Sequence, residues 1–163
     1  MILNAHSYYS LRYGTIPVEE LVADAARMGI ESLALTDINN TTGTIDFVKA
    51  CRQQGIKPVA GIEFRLDDRL LYIGIAINNE GFRELNEFLS EHNLEQKPLP
   101  EQPPDFSNVL IIWPFTQIPG RRLSGNEFIG IRPEEVRKMV TSPLCSDHRK
   151  LVILHTVTYF DEA

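Results

Sequence analysis

The 163-residue chain contains no apolar run approaching the ~20 residues that a membrane-spanning helix needs, so no such helix is expected. Residues 1–6 lack a basic segment followed by an apolar one, the pattern of a secretory signal. There are only two cysteines, Cys51 and Cys145. Two cannot make a disulfide framework, and they read as buried or free thiols in a reducing cytoplasm. Positive charge is also short: 16 Lys and Arg stand against 22 Asp and Glu, a net charge of -6. A chain this acidic is poorly suited to gripping a phosphate backbone over a broad face. No internal repeat and no low-complexity tract interrupts it.

What is present is ordinary globular material, 43% hydrophobic and 23% charged, in a length suited to one domain with a real core. Residues 2–6 read as a short strand ending in His6, followed by a Tyr-rich loop over 7–14. Pro17 with Glu19 and Glu20 opens a helix carrying Val18, Leu21, Val22, Ala25 and Met28 at helical spacing, with Gly29 closing it. Residues 33–36 form a buried strand that runs into Asp37. Ile45, Val48 and Cys51 mark a second amphipathic helix closed by Gly55. Residues 57–64 and 70–77 are strands joined through Asp67-Asp68 as an antiparallel hairpin. Asn78 or Asn79 caps a third helix with a Phe82, Leu85, Phe88 and Leu89 stripe. Residues 94–107, with Pro98, Pro100, Pro103 and Pro104, are a long surface loop inside one domain spanning 1–163. Short strands follow at 109–113, 128–131 and 151–157, with a short helix opening at Pro133.

Seven strands and four helices in alternation argue for βα units on a largely parallel, barrel-like or incomplete sheet. In such a fold the polar residues at strand ends converge: Asn4, His6, Asp37, Glu63, Arg132 and His155. Imidazole and carboxylate groups meeting at one mouth have the composition of a hydrolytic metal site, in which zinc or manganese activates water. They are equally the composition of ordinary polar strand ends. Trp113 reads as core, His92 and His148 as solvent-exposed, and the pair Arg121-Arg122 as a solvated loop.

Three stretches narrow this. Asn-Ala-His-Ser-Tyr-Tyr-Ser-Leu over 4–11, Leu-Ala-Leu-Thr-Asp-Ile-Asn over 33–39 and Gly-Ile-Lys-Pro-Val-Ala-Gly-Ile-Glu over 55–63 resemble the opening motifs of a PHP (polymerase and histidinol phosphatase) domain. The variety is that found at the N-terminus of bacterial DNA polymerase III alpha subunits. Residues 151–160 are similar to a late strand of the same domain. The resemblance implies a distorted (β/α)7-like barrel, incomplete in a chain that is a piece of a longer protein.

The departures from the family pattern are as informative. Metal-binding members carry His where this chain has Asn4, Asp where it has Tyr13, and His where it has Ile38. Thr156 and Thr158 stand where the late strand usually offers Asp and His. His6, Asp37 and Glu63 remain as residual ligand candidates, too few charged groups for a multinuclear cluster. The expectation is therefore a domain without catalytic residues or a metal of its own, in which these three hydrogen-bond one another in the former cavity. The resemblance further implies a parent DNA-directed DNA polymerase using magnesium in a separate palm. Its partners would be the rest of that chain, a proofreading exonuclease subunit, and primer-template DNA held elsewhere. The alternatives are an active PHP-type phosphoesterase or 3′–5′ exonuclease with zinc or manganese, and an interaction module with no polymerase parent.

Overall fold

The computed structural model describes residues 1–142 and 148–158. Cys145 and the stretch 159–163 lie outside them. The elements in order are β1 (Ile2–Ala5), α1 (Val18–Arg27), β2 (Ser32–Leu35), α2 (Thr44–Gln54), β3 (Lys57–Leu66), β4 (Arg69–Ala76) and α3 (Asn79–Leu94). They are followed by β5 (Val109–Pro114), β6 (Glu127–Ile131), α4 (Val136–Val140), β7 (Leu151–Ile153) and β8 (Thr156–Val157).

The eight strands of the described residues join one sheet in the order β7-β6-β5-β4-β3-β2-β1-β8. β4 runs antiparallel to both β3 and β5, and the other pairings are parallel. β7 and β8 sit at opposite ends of that order, yet only Leu154 and His155 separate them. One short segment therefore serves both edges, and the sheet must curl back toward itself. The last strand of the sequence reading is in fact two, because the chain leaves β6 at Ile153 and picks up β1 at Thr156. Backbone bonds Leu154 N to Ile131 O (2.9 Å) and His6 N to Val157 O (2.8 Å) tie the crossing at both ends. Among the described residues, α-helices follow β1, β2, β4 and β6 only, fewer than the outer layer of a full (β/α)7 barrel.

Three apolar clusters hold this arrangement. α1 and α2 pack on β1 and β2 through Val18, Leu21, Val22, Phe47 and Cys51 against Ala5, Leu33 and Leu35. α3 covers β3, β4 and β5 through Leu85 and Leu89 against Ile62, Phe64, Tyr72 and Trp113. The remaining cluster joins Ala34, Ile73, Ile75, Ile112 and Leu154. Ile62 and Phe64 face α3, so Glu63 between them points to the opposite face, as the period of two requires.

The sequence reading of α2 needs rotating. Ile45 is 62% exposed, and the buried stripe is Thr44, Phe47, Ala50 and Cys51. Phe47 carries more apolar area than Ile45, and its burial sets the face. Asn78 is the residue that caps α3, accepting from Gly81 N at 2.9 Å. His92, expected in solvent, is half-buried, with Nδ1 bonded to Phe88 O at 2.8 Å and its ring 4.4 Å from that of Phe88. Within 94–107 the chain is anchored by Leu99 and Phe106, which pack on the α3 cluster.

Candidate functional site

Asn4 and His6 leave the end of β1, Asp37 follows β2, Glu63 lies on β3 and Thr156 on β8. The curl of the sheet brings these ends together at a mouth where Asn4, His6, Ser7, Ser10, Thr36, Asp37 and Glu63 are all buried. Glu63, 1% exposed, is the hub of one network. Its Oε2 accepts from Asn4 Nδ2 at 2.8 Å and from His6 Nε2 at 3.0 Å, and its Oε1 accepts from Arg65 Nε at 2.5 Å. Asn4 Nδ2 also donates to Thr156 Oγ1 (3.0 Å), and Thr36 Oγ1 donates to Asn4 Oδ1 (2.5 Å). His6 Nδ1 is buried and has no hydrogen-bond partner among the described residues.

Asp37 belongs to a second network. Its Oδ1 accepts from Ser7 N (2.7 Å) and Ser10 Oγ (2.6 Å), and its Oδ2 from Ser7 Oγ (2.7 Å). Ser10 Oγ in turn accepts from Ile38 N at 3.0 Å. Asp37 thus pins the Tyr-rich loop to the strand end and does not join His6 and Glu63, as the sequence reading had expected. Ser7 and Ser10, on the loop that follows β1, bring three donors to the two Asp37 oxygens. Among the described residues, no three His, Cys, Asp or Glu side chains stand close enough together to hold a metal ion.

Burial pushes the Glu63 carboxyl up, but the His6 hydrogen bond, the His6 and Arg65 charges and the Asn4 amide outweigh it and hold the group below its ordinary value. A third buried carboxylate, Glu127 at the start of β6, is held well below the usual range, first by Arg121 and then by Ser124 and Trp113. A carboxylate depressed in the folded state contributes stability above its unfolded pKa and loses it as pH falls through the folded value. Urea midpoints are therefore expected to drop on going from about pH 7 to about pH 3, and to drop less in Glu127→Gln.

Above Glu63 the mouth opens into two clefts of about 320 and 330 Å³, both lined by Arg65 and Arg132. Asp68 and Glu135 line the first, and Glu134, His155 and Thr156 the second.

The PHP domain family pattern matches residues 3–110, well over half of the chain. The chain belongs to the PHP domain family. It is 42% identical over 89 residues to a DNA polymerase III alpha subunit of Bacillus subtilis, covering 51% of this chain and 8% of that one. It is 33% identical over 96 residues to an error-prone DNA polymerase of Symbiobacterium thermophilum, covering 59% of this chain and 9% of that one. The chain thus spans less than a tenth of the length of these curated relatives. A solved amidohydrolase from Chromobacterium violaceum is similar at a TM-score of 0.43 and 26% identity, over 58% of this chain and 34% of that one.

Of the positions that the sequence resemblance picks out, Asn4, His6 and Glu63 come together in one buried network, with the half-buried Thr156 at its edge. Asp37 and the Ile38 amide fall in the neighbouring one. Tyr13 stays at the rim, its hydroxyl donating to Asp68 and its ring 4.3 Å from the Arg65 guanidinium carbon. Thr158 contributes its backbone, accepting from Thr15 N at 3.3 Å. His155 is exposed and lines the outer cleft, so it does not reach the buried networks. Arg65, Ser7, Ser10 and Thr36 were missed by the sequence reading. Arg65 had a signal, standing two residues beyond Glu63 on one strand and so on the same face.

Proposed function

We propose that this chain is the PHP domain of a DNA polymerase III alpha-type polymerase, serving as a non-catalytic brace whose former metal cavity is closed by hydrogen bonds. The polymerase assignment rests on the sequence similarity to alpha subunits. The observation that carries the non-catalytic reading is the occupancy of Glu63: a guanidinium on one oxygen, and an imidazole and an amide on the other. A divalent cation at Glu63 would have to displace Arg65, and Ile38, Tyr13 and Thr156 supply neither imidazole nor carboxylate to compensate. The residues present therefore do not fit a metal cluster, and no hydrolytic step is assigned to them. Under this reading the nucleotidyl transfer and its magnesium lie in other parts of a longer chain. The partners of this domain are the remainder of that chain and a proofreading subunit, in the cytoplasm, with DNA held elsewhere.

Protein purified without chelator tests it by elemental analysis and by phosphoesterase and 3′–5′ exonuclease assays with added manganese or zinc. The expected result is far less than stoichiometric metal and no EDTA-sensitive turnover. Near-stoichiometric zinc or manganese that disappears in His6→Ala, with turnover that EDTA removes, would establish the PHP phosphoesterase reading in its place.

A further inference from the structure

A cleft of about 540 Å³ shares no lining residue with the two at the mouth. It is formed by the loop over residues 118–125, which connects β5 to β6, and by the start of β7. Leu123, Ile129 and Leu151 supply an aliphatic floor. Arg121, Arg122 and Lys150 stand around it, and among the described residues no Asp or Glu lines it.

The three cations differ in how far their charge is met. Arg121 is neutralised by Glu127, to which it donates at 2.7 and 2.8 Å. Lys150 Nζ donates to the Ser124 and Gly125 carbonyls at 2.6 and 2.9 Å, partners that orient the ammonium without cancelling its charge. The Arg122 side chain is exposed and has no hydrogen bond or ion pair among the described residues. Among the described residues, Arg122 and Lys150 thus carry positive charge without a carboxylate partner beside an apolar floor, on a chain whose net charge is -6.

The loop carrying these groups is held firmly. Glu127 is 3% exposed and takes Ser124 N and Oγ, each at 2.7 Å, and Trp113 Nε1 at 2.9 Å, in addition to Arg121. Lys150 clamps the same loop from the other side. A cleft whose walls are already ordered loses little entropy when it is filled. Arg121, Arg122, Ser124 and Gly125 are all exposed, so the cleft is open and suits a segment laid across it.

We propose that this cleft docks a short acidic and apolar peptide segment of a protein partner. Its carboxylates pair with Arg122 and Lys150, and a Leu- or Phe-sized side chain rests on Leu123, Ile129 and Leu151. Nucleic acid is the poorer occupant: among the described residues no aromatic ring lines the cleft to stack a base, and two cations without a carboxylate partner are too few to track a phosphate backbone. The inference is independent of the state of the metal cavity.

Calorimetric titration of the protein with the peptide Ac-Asp-Glu-Leu-Phe-Asp-Leu-amide tests it, beside a peptide with Asn and Gln in place of the acids and a short single-stranded oligonucleotide. Saturable binding of the acidic peptide is expected. It should weaken roughly tenfold for the neutral peptide and in Arg122→Glu, and more steeply at high salt. Leu123→Ala should weaken both the acidic and the neutral peptide. Arg122 is exposed, so Arg122→Glu should keep its fold, which circular dichroism checks. No saturable binding, equal binding of both peptides, or an Arg122-dependent interaction with the oligonucleotide alone would each overturn the proposal.

Discussion

Glu63→Ala is expected to cost about 3–5 kcal/mol of stability, read as a fall in the urea unfolding midpoint. Removing the carboxylate leaves the Arg65 guanidinium, the His6 Nε2–H and the Asn4 amide aimed at an emptied, buried centre. A buried charge without its partner is the costliest of the ordinary ways to damage a fold. Glu63→Gln should cost less, because a Gln oxygen still accepts from one side while its amide faces a donor on the other. A Glu63→Ala protein within about 1 kcal/mol of the parent would show that the three donors find water or other acceptors, and that Glu63 is not the hub.

The second large effect is expected at Asp37→Ala, at about 3 kcal/mol or more, since Ser7 N, Ser7 Oγ and Ser10 Oγ all lose their acceptor at about 1–3 kcal/mol each. The serine hydroxyls can turn to other acceptors, but the Ser7 amide cannot. Hydrogen exchange at Ser7 and through the loop over 8–14 should therefore accelerate along with global destabilisation. Asp37→Asn keeps one oxygen for the Ser7 amide and should be much milder. These costs should be the same with EDTA or with added manganese. A loss of stability seen only when metal is supplied would make Asp37 a ligand and not a loop anchor.

The two predictions separate residues that the sequence alone groups together. His6, Asp37 and Glu63 stand out there for the same reason, as polar groups at the ends of strand-like segments. In the fold they divide, because different partners reach each of them: Ser7 and Ser10 lie 30 and 27 residues from Asp37, and Asn4 lies 59 from Glu63. Asp37 is claimed by serines one and four residues beyond His6. Glu63 is claimed by Arg65 on its own strand face and by Asn4, delivered by β1.

Several elements were legible because their signals are local. The hairpin of β3 and β4, the glycine closures at Gly29 and Gly55, and the Asn cap of α3 each follow from a few adjacent residues. The face of α2 was not legible, since Ile45 and Phe47 both offer an apolar stripe and only the neighbouring helix and strands settle which is buried. Glu127 gave no sign at all. A glutamate before an apolar strand reads as a solvated start, and its burial depends on Arg121, Ser124 and Trp113 folding back around it.

By itself the sequence determined the strand and helix alternation and the PHP motifs, and hence the family. Those are properties of residue order and spacing. Only the tertiary structure decided that the last segment serves both edges of the sheet, that Arg65 stands on Glu63, and that Asp37 and Glu63 belong to separate networks. These depend on which strand ends the curl of the sheet brings within hydrogen-bond reach, a distance of about 3 Å that no local pattern encodes.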